Sequence, residues 1–306
     1  MLQIGIVGAG AIGTLFGGLL QRAGNDVTLV HRDPRVVSAI RKKGVRIREG
    51  RKTVRATVRA SRAPADLTTA DVVFFTVKAY DTRQAAGMHK GRVGKRSAIL
   101  SIQNGLGNLE TLADVFKSNP VLAGSTTEAA LALGPGLVLH AGRGHTQIGT
   151  MQGRVQVMRA KVVQELSRAG LPAKSSSDMS KVIWEKTILN SAINPISAIT
   201  RLQNGEILKI LPLRELMRQV IREGAAIGRA EWIPIDSAGL WRNALRILKA
   251  TAKNRSSMLQ DIMHERMTEI LQLNGTLAEY GAKHHLAIHL NRALTSLVRG
   301  IEMSYS

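Results

Sequence analysis

The stretch that decides the fold runs from Leu2 to Gly13 and reads LQIGIVGAGAIG. An apolar run of strand length leads into three glycines with the spacing G-x-G-x-x-G, and a helical pattern follows. In such a turn the first glycine permits a tight bend and the second lets the backbone approach a pyrophosphate. The third lets the helix pack closely on the strand. This context predicts a dinucleotide-binding turn formed by Gly8, Ala9, Gly10, Ala11, Ile12 and Gly13.

The first half of the chain continues as an alternation of strand and helix patterns. A helix is predicted over 12–23, a second strand over 26–30, and a strand buried on both faces over 71–77, DVVFFTV. Further strands are predicted over 98–102 and, more weakly, at 121–124 and 146–149. This order is typical of an α/β domain of the Rossmann type with a parallel sheet.

The second half of the chain shows helical apolar spacing from about Met179 onward. The polar stretch AKSSSD, residues 173–178, precedes it and ends in residues suited to cap a helix. We therefore predict two domains, a Rossmann-type domain over 1–177 and an all-helical domain over 178–306.

Composition excludes several function classes. The 306 residues include no cysteine, which excludes disulfides, cysteine nucleophiles and thiolate metal sites. Apolar runs stay shorter than the ~18 residues of a membrane span, so we predict a cytoplasmic protein without a membrane segment. His285 and His289 are four residues apart, but no carboxylate stands at ligand spacing beside them, and we predict no metal site.

The end of the second predicted strand bears on cofactor choice. It reads Val30-His31-Arg32, where a cofactor with a free ribose 2′-hydroxyl usually meets an acidic residue. An arginine suits a 2′-phosphate instead, which favours NADP over NAD. Asp33 is the counter-argument, since it stands one residue later.

Positive charge is concentrated in residues 41–62. The formal net charge of the chain is +21, and this stretch contains ten Lys and Arg residues against Glu49 alone. Its alternation predicts a hairpin turning near Glu49-Gly50. A nucleic-acid surface is one interpretation, but the stretch has no aromatic residue to stack on a base. The sequence favours a solvated face and no nucleic-acid partner.

A polar stripe marks the helical half. Lys186, Asn190 and Asn194 are spaced four residues apart and flank apolar positions, so they share one side of a helix. Polar groups beside a buried stripe are costly unless they face a polar cleft, and a lysine there can donate a proton. An ordinary exposed helix face remains the alternative.

Two later polar residues are hard to place together. One straight helix from Ser257 to Glu269 would separate them by ~18 Å, too far to share one small ligand. Either the helix breaks between His264 and Thr268, or the two residues serve different parts of a larger ligand pair.

Taken together, the motifs resemble one family, ketopantoate reductase, also called 2-dehydropantoate 2-reductase. The match is spread along nearly the whole chain, and the later motifs keep the order and mutual spacing of that family. The quoted motifs are Gly8 to Gly13, Thr76-Val77-Lys78-Ala79-Tyr80, Gln103-Asn104-Gly105-Leu106-Gly107, HAGRGHTQIG over 140–149, Trp184-Glu185-Lys186 with Asn194-Pro195, Asn204-Gly205-Glu206, SSMLQD over 256–261, and Thr268-Glu269-Ile270. Family members often carry a proline where this chain has Met267, which weakens the prediction of a helix break there.

The resemblance implies NADPH-dependent reduction of ketopantoate to pantoate, in the route to pantothenate and coenzyme A. It implies cofactor contacts by the Gly8 to Gly13 turn, Arg32, Lys78, Asn104, Ala130 and Glu269. Lys186 is similar to the family's proton donor, and Glu269 to an acidic residue near the ribose and the active site. Substrate contacts are implied for Asn104, Asn190, Asn194, Asn204 and Ser257.

Two alternatives stay open at this point. The first is a reductase of the same fold that acts on another 2-oxo acid or a bulkier carbonyl compound. The second is a non-catalytic NADP- or nucleic-acid-binding protein, as the basic first half would suit. The sequence is compatible with a monomer or a homodimer.

Overall fold

A mostly parallel sheet forms the centre of the first half of the chain. The computed structural model describes residues 1–62, 67–150 and 155–305. The strands of this sheet are β1 Gln3–Val7, β2 Asp26–Val30, β5 Arg59–Ser61, β6 Val72–Phe75, β7 Ala98–Ser101, β8 Val121–Thr126, β11 Thr146–Thr150 and β12 Ala173–Ser175. Their order among the described residues is β12-β11-β8-β7-β6-β1-β2-β5, and only β8 and β11 pair antiparallel.

The strand order creates a switch point at β1. The chain moves from β1 to β2 on one side and later returns to place β6 on the other side, both parallel to β1. The chain leads from β1 to β2 on one side and from β6 to β7 on the other, so a crevice opens at the carboxyl ends of β1 and β6. The near-continuous apolar strands predicted from sequence are buried as expected, with Phe74 and Phe75 of β6 almost inaccessible.

Five helices pack against this sheet in the described residues. They are α1 Ala11–Arg22, α2 Pro34–Lys43, α3 Thr82–His89, α4 Asn108–Val115 and α5 Gln156–Arg168. The prediction of an α/β domain of the Rossmann type is confirmed. Within the polar stretch 173–178, where the sequence predicts the domain boundary, the structure places the short strand β12.

A second, smaller sheet holds the basic segment. Its strands are β3 Val45–Glu49, β4 Lys52–Ala56, β9 Ala129–Gly134 and β10 Leu137–Gly142, in the order β4-β3-β10-β9. The hairpin predicted near Glu49-Gly50 is formed by β3 and β4. Strands β9 and β10 were not predicted; they are joined across Pro135 and Gly136 in an antiparallel pair.

The second half of the chain is built from helices. They are α6 Met179–Thr200, α7 Asn204–Ile207, α8 Leu211–Ala230, α9 Ser237–Ala250, α10 Ser257–Met263, α11 Thr276–Lys283 and α12 His289–Met303, with a π-helical turn at Leu271–Gly275. Their shared core includes the fully buried Ile188, Met217, Ile221 and Leu277. The prediction of a helical second domain is confirmed, and no helix in the described ranges is long and apolar enough to cross a membrane.

The chain divides into two compact units. One contains residues 1–103 and 108–179, and the other contains residues 104–107 and 180–306. The division along the chain falls two residues after the predicted end of the first domain. No local pattern in the sequence indicates that the loop 104–107 groups with the helical unit.

A break in the helical unit separates Ser257 from Glu269. Helix α10 ends at Met263, and Glu265 adopts a positive φ of 52°. The Arg266 N–H donates back to the carbonyl of Asp261. Of the two possibilities that the sequence left open, the structure shows the break, although Met267 stands where a proline was expected.

Candidate active site

The glycine turn after β1 has the geometry that its sequence predicts. Gly8 has a φ of 105°, which favours glycine. A Cβ atom on Gly13 would lie 1.9 Å from the carbonyl oxygen of Gly8, so only glycine lets α1 start this close to the strand. A Cβ on Gly10 would meet no atom of the described residues within 4 Å, which leaves space over the turn in that part of the chain. The hydroxyl of Thr76 donates to the Gly8 carbonyl at 2.6 Å and braces the turn.

The start of helix α1 suits an anion. Its N-cap residue is Gly10, and no side chain in the described part of the protein caps it. The first turn contains no acidic residue. The unpaired N–H groups and the positive end of the helix dipole therefore point into the open space above Gly10. A pyrophosphate group fits this arrangement, so the residues present suit a dinucleotide.

Cationic side chains follow the neighbouring strands at the same edge. Arg32 follows β2 and Lys78 follows β6, and both strands flank β1. Arg32 is 70% exposed and donates to Asp81 at 3.2 Å. Asp81 ends the short 3-10 turn that begins directly after Lys78. The structure therefore brings Arg32 to the segment that carries Lys78.

Asp33 has a structural role here, as the N-cap residue of α2. Its carboxylate accepts a hydrogen bond from the Arg35 backbone N–H at 2.8 Å and caps α2. The Arg35 guanidinium also bonds both carboxylate oxygens. Hydrogen bonds from the Arg35 side chain and backbone lower the pKa of Asp33 to about 2. Asp33 was the sequence argument for NAD, and its oxygens are engaged with Arg35.

Ala130 lies in β9, opposite His140 of β10. Its strand contacts helix α1, the helix that opens at the glycine turn. Two residues earlier, Glu128 is buried and accepts from His140 Nε2 at 2.6 Å, while His140 Nδ1 lies 3.0 Å from Glu49. The hydrogen bond with His140 lowers the pKa of Glu49. Sequence reasoning missed this cluster, which anchors the chain where it passes from β8 to β9.

The helical unit brings three predicted residues together. Lys186 of α6 is partly buried, and Glu269 is buried in the segment after the helix break. Burial lowers the pKa of Lys186 to about 8, while the Glu269 carboxylate acts in the opposite direction and favours the ammonium form. Asn104 Nδ2 donates to Glu269 Oε2 at 3.4 Å. An amine, a carboxylate and an amide thus form one cluster.

The loop that carries Asn104 is held by the π-helical turn. Leu106 N–H donates to the carbonyl of Gln272 at 3.3 Å. Gly105 has a φ of 84°, and a Cβ there would lie 2.4 Å from the same Gln272 oxygen. The glycine therefore permits both the backbone conformation and the close approach.

Asn190 and Asn194 follow Lys186 along α6, as the stripe predicted. Asn194 is buried, and its carbonyl accepts from Ser256 Oγ at 3.5 Å. Ser256 also caps α10 by accepting from Leu259 N–H at 3.0 Å. The neighbouring Ser257, the predicted substrate contact, is exposed at the first position of that helix. The structure brings the start of α10 to the Asn194 turn of α6.

Asn204 is fixed by a different part of the helical unit. Its Nδ2 donates to Thr251 Oγ1 at 2.8 Å, and its backbone N–H donates to the carbonyl of Asn254. Its Oδ1 is buried without a hydrogen-bond partner among the described residues, so an acceptor remains there. The two bonds fix Asn204 against the loop that leads from α9 to α10.

Each of the two units matches a known protein family. The family description "Ketopantoate reductase PanE/ApbA" matches residues 4–153, and its C-terminal counterpart matches residues 178–302. This chain belongs to the ketopantoate reductase family. Curated relatives named 2-dehydropantoate 2-reductase include one from Archaeoglobus fulgidus, 39% identical over 98% of both chains. Another, from Halobacterium salinarum, is 33% identical over 97% of this chain and 98% of its own.

Solved structures extend the family comparison. A ketopantoate reductase from Ralstonia eutropha is 35% identical, with a TM-score of 0.90 over 99% of both chains. A D-mandelate dehydrogenase in complex with NADH and anilino(oxo)acetate is 25% identical, with a TM-score of 0.94 over 99% of both chains. The resemblance stated from the motifs is confirmed for the family and for the fold.

Proposed function

We propose that this protein is an NADPH-dependent 2-dehydropantoate 2-reductase, which reduces ketopantoate to pantoate. The observation that carries the proposal is the cluster of Lys186, Glu269 and Asn104. It places an amine with a pKa of about 8 next to a buried carboxylate. A proton donor with such a pKa suits carbonyl reduction near neutral pH. The family and the activity named for its curated relatives support the same reaction.

The reaction needs a group that stabilises and then protonates an oxygen. When bound, a nicotinamide would supply the hydride for the C2 ketone carbon. Lys186, as an ammonium, donates a hydrogen bond to the ketone oxygen, stabilises the negative charge that develops there, and transfers its proton to it. Partial burial of Lys186 strengthens this interaction because little water competes for the charge.

Glu269 keeps Lys186 in the reactive protonation state. Burial alone favours the neutral amine, whereas the Glu269 carboxylate favours the ammonium. Asn104 orients Glu269 through its donated hydrogen bond. We therefore assign catalytic roles to Lys186 and Glu269, and we place Asn104 and Glu269 also at the cofactor.

The remaining polar residues of the helical unit suit the substrate's carboxylate and hydroxyl groups. Asn190 lies one helical turn beyond Lys186, and Asn194 lies two turns beyond it. The exposed Ser257 hydroxyl is a donor at the start of α10, and Asn204 keeps an acceptor. These four side chains would orient the ketone toward the hydride.

The first unit would hold the cofactor. We assign the pyrophosphate to residues 8–13 and the start of α1, and the 2′-phosphate to Arg32 with Lys78 nearby. Ala130 is proposed as a backbone contact. The engagement of Asp33 with Arg35 supports NADPH over NADH, because a carboxylate already paired with a guanidinium and a backbone N–H is a weaker acceptor for the ribose 2′-hydroxyl.

A second candidate is reduction of a bulkier 2-oxo acid. The structural similarity to the D-mandelate dehydrogenase, with a TM-score of 0.94, favours it. Both substrate classes present a carboxylate next to a ketone, so the Lys186 chemistry serves either. We further propose a cytoplasmic enzyme, because free nicotinamide dinucleotides are kept inside cells. It would act as a monomer or homodimer without a nucleic-acid partner.

The deciding experiment follows oxidation of NADPH and, separately, NADH with ketopantoate and a panel of 2-oxo acids that includes an aromatic one. Turnover of ketopantoate with the highest kcat/KM supports the proposal. A preference for the aromatic acid would replace the substrate and keep the mechanism. Silence with every acid, despite measurable NADPH binding, would contradict the enzymatic function.

A further inference from the structure

A proline interrupts the hydrogen bonds of the helix that carries Lys186. In an α-helix each N–H donates to the carbonyl four residues earlier, and proline has no N–H. Pro195 lies inside α6, so the carbonyl of Ser191 lacks its helical donor. This carbonyl, which has no helical donor, belongs to a residue between Asn190 and Asn194 of the polar stripe.

A side chain from elsewhere in the helical unit supplies the missing donor. Asn274 Nδ2 donates to the carbonyl of Ser191 at 2.9 Å, and the same nitrogen donates to Asn291 Oδ1 at 3.0 Å. Asn274 is fully buried, and its Oδ1 lacks a hydrogen-bond partner among the described residues. An unpaired buried acceptor destabilises the folded protein. The two hydrogen bonds that Asn274 donates must therefore offset this cost.

The second acceptor is itself rigidly held. Asn291 Nδ2 donates to Glu223 Oε2 at 2.8 Å, and the backbone N–H groups of Leu290 and Asn291 donate to the same carboxylate. Glu223, from α8, thereby caps the start of α12. Asn274 is thus hydrogen-bonded both to the fixed Asn291 amide and to the Ser191 carbonyl of α6.

The segment that contains Asn274 also touches the active-site residues. Asn274 lies in the π-helical turn Leu271–Gly275, in which Gly275 N–H donates to the Ile270 carbonyl at 3.0 Å. The turn begins directly after Glu269 and Ile270, and the Glu269 carbonyl accepts from the N–H groups of Gln272 and Leu273. The Gln272 carbonyl in turn receives Leu106 N–H from the Asn104 loop. One short turn is thus bonded to Glu269, to the Asn104 loop and to α6.

We propose that Asn274 is a positioning residue for the reaction: by replacing the donor that Pro195 removes, it fixes the π-helical turn to α6 and so sets the position of Glu269 relative to Lys186. The inference rests on the proposed function, since it assigns a role in placing that pair. π-Helical turns are rare and are found mostly at functional sites, which agrees with this role.

The first test is a double-mutant cycle between Asn274 and Pro195. Asn274→Ala should lower kcat of the folded enzyme by about tenfold at pH 8 and above with a smaller change in KM, because a displaced Glu269 no longer favours the ammonium form of Lys186 that donates the proton. Pro195→Ala restores a backbone N–H that can donate to Ser191 and that competes with Asn274 for its carbonyl. The loss caused by Asn274→Ala should therefore be several-fold smaller in the Pro195→Ala background than in the wild-type background.

A matched control separates positioning from stability. Asn25 is a buried asparagine of the other unit, and its Nδ2 also donates two hydrogen bonds, to Leu20 O and Glu165 Oε2. Asn25→Ala should lower the melting temperature while leaving kcat per folded molecule within about twofold. If Asn274→Ala behaves like this control, or if its effect is the same in both backgrounds of the cycle, the proposal is wrong.

A readout without turnover distinguishes this inference from the proposed function. The pH dependence of Lys186 labelling by an amine-reactive reagent, followed by mass spectrometry, reports its protonation in the enzyme without substrate. Asn274→Ala should move the labelling midpoint to lower pH, because the Glu269 carboxylate no longer supports the ammonium. An unchanged midpoint contradicts the positioning role even if no 2-oxo acid is turned over.

If Asn274→Ala does not fold, Asn274→Leu in the Pro195→Ala background serves as the second variant. Leucine has a similar size and removes both donors together with the unpaired acceptor, while the restored backbone N–H satisfies the Ser191 carbonyl. The expected result is a folded enzyme with the labelling midpoint shifted to lower pH. A wild-type midpoint in that variant would overturn the proposal.

Discussion

The glycine turn of the first unit and the lysine cluster of the second unit reach their geometry in different ways. The turn is formed by residues 8–13, which are contiguous, and its conformation follows from three glycines. The cluster joins Asn104, Lys186 and Glu269, and the hydrogen bond from Asn104 to Glu269 spans 165 positions of the chain. A local pattern therefore suffices for the first site, whereas the second depends on how distant segments pack.

The largest expected effect concerns the cluster. Lys186→Ala should lower kcat by about 10²- to 10⁴-fold, because it removes the group that we propose stabilises and protonates the ketone oxygen. Steady-state kinetics with the preferred 2-oxo acid measures the loss. Lys181→Ala is the matched control, since Lys181 lies on the same helix, is 40% exposed and pairs with Glu185. Near-normal turnover of the Lys186 variant would remove it from the proton-donor role.

The glycine turn can be tested with two alanine variants that separate folding from binding. Gly10→Ala should fold normally, because its Cβ meets no atom of the residues that the structure describes, yet weaken NADPH binding about tenfold or more by obstructing the pyrophosphate. Gly13→Ala should instead lower the melting temperature, because its Cβ would lie 1.9 Å from the Gly8 carbonyl. Titration with NADPH and thermal unfolding measure the two effects. Equal NADPH affinity in Gly10→Ala and wild type would argue against a pyrophosphate at this turn.

A third variant tests whether the end of β2 reads the 2′-phosphate. Arg32→Asp should reduce the ratio of kcat/KM for NADPH to that for NADH by about tenfold, since a charge-assisted bond is replaced by repulsion. The matched variant is Arg35→Ala, because Arg35 is also exposed but pairs with Asp33. A change in the ratio for Arg35→Ala alone would transfer the role to that residue.

The smallest expected effect is a shift in pH dependence. In the proposed mechanism the protonated form of Lys186 is the active form, so kcat should fall as the pH rises through about 8. Glu269 raises the pKa of Lys186, so Glu269→Gln should move this fall to lower pH. A pH series of kcat measures the shift, and Glu265→Gln, at an exposed position, is the control. A fall that moves to higher pH would contradict the assigned charge interaction.

Some secondary-structure elements could be predicted from the sequence and others could not. Strand β6 and the β3–β4 hairpin are predictable because apolar runs and alternation are local signals. Strands β9 and β10 were missed, although the sequence Gly134-Pro135-Gly136 marks the turn between them. The helix break after Met263 was only one of two possibilities predicted from sequence. Glu265 adopts the positive φ there, and a glutamate gives no local signal for that conformation.

The candidate site shows the same division. The stripe of Lys186, Asn190 and Asn194 follows from helical periodicity. The hydrogen bonds of Asn274 and of the Glu128–His140 pair do not, because each depends on a partner that is not its neighbour in the chain. Pro195 is a partial signal, since a proline inside a helix predicts that some donor must reach the Ser191 carbonyl. It does not reveal which residue supplies that donor.

The sequence by itself determined the Rossmann-type half, the helical half, the glycine turn and the lysine stripe. Each of these follows from periodicity or from backbone freedom within a few residues. Only the tertiary structure decided that the loop 104–107 joins the helical unit, that Glu269 acts on Lys186, and that Asn274 replaces the donor missing at Pro195. The physical reason is that charge interactions and buried hydrogen bonds depend on spatial separation, which sequence spacing does not specify across a break in a helix.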